Sequence, residues 1–83
     1  MDVQTIELII KTEIPSCQVE LIVDGNKLNL TIISDVFEGL SRVKRQQKIY
    51  GLLNDLITSG EIHAVSMVTL TSEEARALLW TAW

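Results

Sequence analysis

The 83-residue chain has one cysteine, one histidine and one proline, and aromatic residues make up 5% of it. Each scarcity removes a class of function. Cys17 alone cannot close an internal disulfide, which fits a reducing compartment. A closed site for a soft metal wants about four thiolate or imidazole ligands, and Cys17 and His63 are the two this chain owns. Any such metal must be shared with another molecule. The apolar runs are short, such as Leu21–Val23 and Leu78–Trp80, far below the roughly 20 residues that cross a bilayer. The N-terminus opens on Asp2, Gln4 and Glu7 rather than on a basic start leading into an apolar stretch, so no secretory signal is visible and a cytoplasmic location is expected. Gly39 and Gly51 stand isolated, so there is no glycine-rich cradle for phosphate. The formal net charge of −4 opposes attraction of nucleic acid to the surface as a whole and confines any such binding to a local patch.

What remains is an ordinary globular composition, 47% hydrophobic and 22% charged, in a chain long enough for one core. A single domain over residues 1–83 is expected. Asp2 suits a helix N-cap, and Val3, Ile6, Ile9 and Ile10 recur at helical spacing, which predicts a helix over residues 2–12 ended by Pro15 and Ser16. Val19, Leu21 and Val23 alternate with polar positions, and the alternation resumes as Leu28, Leu30 and Ile32 after Asp24-Gly25-Asn26-Lys27. An Asp-Gly turn between such runs signals a β-hairpin.

A short turn through Phe37-Glu38-Gly39 leads to Ser41, which can cap a long helix over residues 41–59 with Ile49, Leu52, Leu53, Leu56 and Ile57 as its apolar stripe. Ser59-Gly60 stops it. The β-branched segment 62–70 predicts a third, well-buried strand. Thr71 and Glu74 form a capping box for a last helix to about Leu79. The order is α-β-β-α-β-α, with room for a short extra helical turn near Phe37. Three strands are too few for helices on both faces, so the expected fold is α+β, a small three-stranded mixed sheet with helices packed on one face.

Few residues can carry chemistry. If the third strand runs parallel to the second, His63 sits at the hairpin-tip end and Cys17 at the other, roughly 20 Å away at about 3.3 Å per residue. That separation argues against a Cys–His dyad. The acidic pairs Glu73-Glu74 and Asp35/Glu38 read as charges favoured at helix starts. No catalytic residue is assigned and no enzymatic activity is expected. Two readings of His63 stand, a half-buried structural residue or a single ligand given to a composite metal site. Arg42, Lys44, Arg45 and Lys48 hold four of the seven positive charges. They read either as the solvated face of a helix or as a grip on phosphates or an acidic partner. Trp80 and Trp83 read as packing for the terminal helix or as an exposed patch for a partner, including a second copy of the chain.

The run Phe37-Glu38-Gly39-Leu40-Ser41-Arg42-Val43-Lys44-Arg45-Gln46-Gln47-Lys48-Ile49-Tyr50, followed by Ile62-His63-Ala64-Val65-Ser66 and Thr71-Ser72-Glu73-Glu74, resembles the BolA family over about residues 5–75. The resemblance implies a fold similar to the class II KH domain. It also implies a non-enzymatic partner of monothiol glutaredoxins in iron–sulfur and redox homeostasis, bridging a [2Fe–2S] cluster with glutathione. His63 then supplies an iron ligand. The family usually adds a histidine or cysteine from the loop between the first two strands. Here Asp24-Gly25-Asn26-Lys27 has neither, and Lys27 stands approximately where close relatives carry histidine. A protonated ammonium cannot ligate iron. Where relatives often show Thr-Pro-Glu-Glu-Trp, this chain has Ser72 and Ala75, with its tryptophans later.

Some family members act as DNA-binding regulators of stress genes, which suits a basic patch at Arg42, Lys44, Arg45 and Lys48, joined by Lys27 as a partner-binding cation. The Gly-x-x-Gly loop that KH domains use on nucleic-acid backbones is missing. The expected assembly is a monomer or weak homodimer, with no membrane association.

Overall fold

Helix α1, Val3–Glu13, begins where Asp2 accepts a hydrogen bond from the Gln4 N–H at 3.0 Å and another from the Thr5 hydroxyl at 2.8 Å. That hydroxyl is the chief reason the Asp2 carboxyl lies below its ordinary range. Ile6 and Ile10 are buried on one side of the helix, and Ile14 follows them into the core as its N–H closes onto the Ile10 carbonyl at 2.8 Å. The computed structural model describes residues 2–81, the last three as backbone alone.

Strands β1, Gln18–Asp24, and β2, Lys27–Ile33, pair antiparallel, with Asp24 opposite Lys27. The hairpin loop proper is therefore Gly25-Asn26, and Asp24 belongs to the strand. Gly25 takes φ +62° while no non-glycine residue has positive φ. Glycine at the first central position is the pattern of a type II′ turn, whose twist matches the strands, rather than the type I′ turn that an Asp-Gly pair favours. A single 3₁₀ turn, Asp35–Phe37, occupies the place where an extra helical turn was expected.

Helix α2, Arg42–Thr58, is capped by the Ser41 hydroxyl, which accepts from the Lys44 N–H at 3.3 Å. It carries the chain back so that β3, Ala64–Leu70, lies parallel to β2 in a sheet of order β1-β2-β3. Helix α3, Ser72–Thr81, starts with the expected capping box. Glu74 accepts from the Thr71 N–H at 2.8 Å and its own N–H donates to the Thr71 hydroxyl at 3.2 Å. The chain is thus α+β, with three helices and a three-stranded mixed sheet.

The registers align three rows on one face of the sheet: Val19–Ile32–Thr69, Leu21–Leu30–Met67 and Val23–Leu28–Val65. The central strand contributes the buried trio Leu28, Leu30 and Ile32, and the helices close over it with Ile6, Ile10, Ile49 and Leu53, with Phe37 and Ile62 filling the ends. Along β2, Lys27 and Asn29 point the other way and are exposed. Strand β3 departs from expectation. As an edge strand it alternates exposed and half-buried residues, and Val68 remains 47% exposed. The buried residues in that stretch of sequence are Thr69 within the strand and Ile62, which precedes it. No helix among the described residues is long and apolar enough to cross a membrane.

Candidate functional site

Gly60 ends α2 with φ +84°, a left-handed conformation that glycine takes freely. Ile62 anchors the following bend by burial, and the His63 N–H donates to the Asn26 carbonyl at 3.0 Å. The next residue, Ala64, is already in register with Lys27. His63 is therefore fixed beside the hairpin tip while its side chain stays exposed. Lys27 and Asp24, paired across the turn, are exposed at the same end. A cavity of about 130 Å³ lined by Asp2, Thr5, Ile6, Leu56, Glu61 and Ile62 adjoins it, too small to house a cofactor.

The other end of the sheet holds Cys17. It precedes Gln18, which pairs with Ile33, which in turn pairs with Leu70. Cys17 is half-buried, and burial pushes its thiol above the ordinary value, against the thiolate a nucleophile or metal ligand needs. The two soft ligands are thus at opposite ends, as the parallel arrangement of β2 and β3 predicted. No group of three or more metal-binding side chains exists among the described residues. The donor set fits a metal centre as one contributed imidazole and does not fit an autonomous site.

The basic cluster divides. Arg42, Lys44 and Lys48 are exposed on the first two turns of α2. Arg45 is a correction: it is buried, 7% exposed, and does not belong to a partner-facing patch. Its Nε donates to the Leu40 carbonyl at 3.0 Å, one terminal nitrogen to the Thr69 carbonyl at 3.1 Å and to Glu74 at 2.6 Å, and the other to Glu74 at 3.4 Å. The guanidinium also lies 5.9 Å from the centre of the Phe37 ring. Helical spacing points Arg45 to the same side as Ile49 and Leu53, and a guanidinium survives there because each direction meets a carbonyl or a carboxylate.

Nor do the remaining cations join His63. Arg45 reaches Thr69, six residues along β3 from His63, so the basic start of α2 and the imidazole are separated by roughly 20 Å of strand at about 3.3 Å per residue. Glu74, read from sequence as a helix-start charge, has a second role as the partner of Arg45. That guanidinium is the first cause of its carboxyl lying below the ordinary range. Asp35, the other such charge, accepts from the Ser72 N–H at 3.2 Å. The capping box was visible in sequence, but the link from position 45 to position 74 had no local signal. Trp83 lies outside the described residues, as does the side chain of Trp80.

The family model for the BolA-like protein matches residues 7–74. The chain belongs to the BolA-like family. It is 38% identical over 76 residues to a protein from the rpoN–murA intergenic region of Acinetobacter guillouiae, covering 92% of each chain. It is 41% identical over 51 residues to the acid stress protein IbaG of Escherichia coli, covering 61% of each. Among solved structures, BolA1 from Arabidopsis thaliana superposes with a TM-score of 0.78 at 27% identity, covering 86% of this chain and 92% of that one. The BolA domain of SufE1 from the same plant gives 0.72 at 33% identity, covering 89% and 98%. This BolA-like chain therefore shares its overall fold with these solved structures.

Proposed function

We propose that the chain is a non-enzymatic BolA-like adaptor of the cytoplasm that binds a monothiol glutaredoxin in iron–sulfur and redox homeostasis. In this reading His63 lends its imidazole to a [2Fe–2S] cluster held jointly with the glutaredoxin and glutathione. The observation that carries it is the exposed imidazole beside the hairpin tip, on a backbone bonded to Asn26. Its backbone is anchored to the hairpin tip and its ring is accessible to a second molecule, as a shared ligand requires. The cluster supplies a soft, thiolate-rich centre when bound, and this chain's part is to orient one nitrogen and to present Lys27 and Asp24 to the partner around it. The name of the acid stress relative supports a role in stress response. To test the reading, the purified protein is mixed with a monothiol glutaredoxin, iron, sulfide and glutathione, and the visible absorption and circular dichroism are recorded. A cluster spectrum is expected that changes in His63→Ala. An unchanged spectrum in that variant removes the ligand assignment.

A second reading is favoured by one observation, the three exposed cations Arg42, Lys44 and Lys48 at one end of α2. They suit local contact with DNA phosphates by a transcription regulator. Affinity for a duplex should then fall steeply with salt, and Arg42→Ala with Lys48→Ala should flatten that slope. Binding indifferent to both changes eliminates this reading.

A further inference from the structure

The two edges of the sheet are finished differently. At the β3 edge, Arg45 donates to the Thr69 carbonyl and closes one end. Strand β1 has no such cover: among the described residues, no hydrogen bond outside the sheet ladder reaches it. Because Asp24 and Lys27 close a two-residue turn, their N–H and C=O groups face each other. Alternation along the ladder then aims the N–H and C=O groups of Gln18, Glu20 and Ile22 at β2 too, and those of Val19, Leu21 and Val23 outward. The side chains of the same three residues lie on the core face and are only half-buried, whereas Leu28, Leu30 and Ile32 across the ladder are buried. The edge thus offers three donors, three acceptors and an unfinished apolar row over roughly 14 Å, at about 3.4 Å per residue. Nothing blunts it. The strand holds no lysine, proline or glycine, and its register with β2 runs without a bulge.

We propose that this edge pairs with the β1 strand of a second copy, extending the three-stranded sheet into a two-fold, six-stranded one. The strand is its own complement. Antiparallel pairing centred on Leu21 sets Leu21 against Leu21, and Val19 against Val23, of the second copy. All three outward residues then fall in hydrogen-bonded pairs, and every outward donor meets an acceptor. A slip of one residue opposes outward groups to inward ones, and a slip of two pairs one of the three with Cys17 or Gly25, outside the strand. On the core face the half-buried Val19, Leu21 and Val23 meet apolar counterparts. On the open face Glu20 falls opposite Ile22 and Gln18 opposite Asp24, an amide against a carboxylate, so no like charges are directly opposed. The two Glu20 residues stand diagonally, on positions about 7–8 Å apart, and keep the dimer weak at low salt. The pairing uses none of His63, Arg42, Lys44 and Lys48 and stands apart from the function proposed above.

Sedimentation equilibrium of the full chain, up to about millimolar concentration, tests this. A reversible monomer–dimer equilibrium is expected that tightens between about 0.1 and 1 M salt, as the screening length falls from roughly 10 to 3 Å. Position 22 reads the register, because Ile22 is 55% exposed and can be changed without touching the core. Ile22→Lys puts a cation opposite each Glu20 and should lower the dissociation constant roughly two- to thirtyfold, and Ile22→Glu should raise it by a similar factor. Ser66→Lys, exposed in the same row but two strands away, should stay within about twofold of the parent. A chain that stays monomeric throughout leaves the edge to a foreign strand and overturns the proposal. So does a dimer indifferent to either substitution at position 22, which another surface must hold, or one that Ser66→Lys tightens as much as Ile22→Lys.

Discussion

The His63 N–H and the Asn26 carbonyl are joined by a 3.0 Å hydrogen bond, which ties the bend after α2 to the tip of the β1–β2 hairpin at one end of the sheet. The position of the imidazole is set by a turn that is distant in sequence.

That coupling makes Gly25 a remote control on His63. A β-carbon at Gly25 meets nothing within 4 Å, so Gly25→Ala introduces no clash, but the positive φ of +62° becomes unfavourable. A loss of about 1 kcal/mol is expected in urea denaturation, together with a displaced His63 ring resonance in NMR spectra. A variant matching the parent in both would mean that the tip does not set the ring.

Arg45 is expected to matter for stability rather than for partner binding. Arg45→Ala removes the bonds to Leu40, Thr69 and Glu74 and leaves the Thr69 carbonyl buried without this donor. The loss should be about 2–3 kcal/mol by denaturant titration, given that bonds to charged groups contribute roughly 1.5–3 kcal/mol. Lys44→Ala, on the exposed side of the same helix, should stay within about 0.5 kcal/mol of the parent.

Within the core, Ile49 sits fully buried beneath α2 while Val43, six residues earlier, is 62% exposed. Ile49→Ala should cost about 2–5 kcal/mol through lost burial and the cavity left behind. Val43→Ala should change stability by no more than about 0.5 kcal/mol. Thermal unfolding of the two variants side by side distinguishes them.

Stability should be lost at both extremes of pH. The Glu74 and Asp2 carboxyls lie below their ordinary values of 4.5 and 3.8 when the chain is folded. Their contribution is complete above those values and disappears as pH falls through the lower, folded ones. The Cys17 thiol is raised above 9.0 by burial, so its contribution is complete below 9.0 and disappears as pH rises through the folded value. Urea midpoints measured across pH should therefore be flat in these contributions between about 5 and 8. Glu74→Gln should shallow the acid limb and Cys17→Ser the alkaline one.

Much of this was legible in the sequence, because local chemistry set it. Asp2, Ser41 and the Thr71/Glu74 box fix the helix starts by side-chain bonds to nearby N–H groups, and strict alternation fixes the hairpin face. The BolA-like segments of the chain were recognisable for the same reason, being runs of adjacent residues. What escaped depended on tertiary placement. Strand β3 has the composition of a buried strand, yet Val68, in register with Thr31 on the sheet face away from the core, is left exposed. Arg45 has the neighbours of a surface cation, yet its inward side and the distant Glu74 commit it to the interior. The hairpin turn lies at Asp24-Gly25-Asn26-Lys27 as read, and only its type, set by the positive φ of Gly25 at the first central position, was not legible.

Because α2 runs back along β3, the molecule has two poles, with a lone imidazole at one and free cations at the other. A globular partner docked on the first leaves the second in water. An 83-residue chain of this design keeps its two exposed polar groups on separate surfaces, so damage to either pole should spare the other.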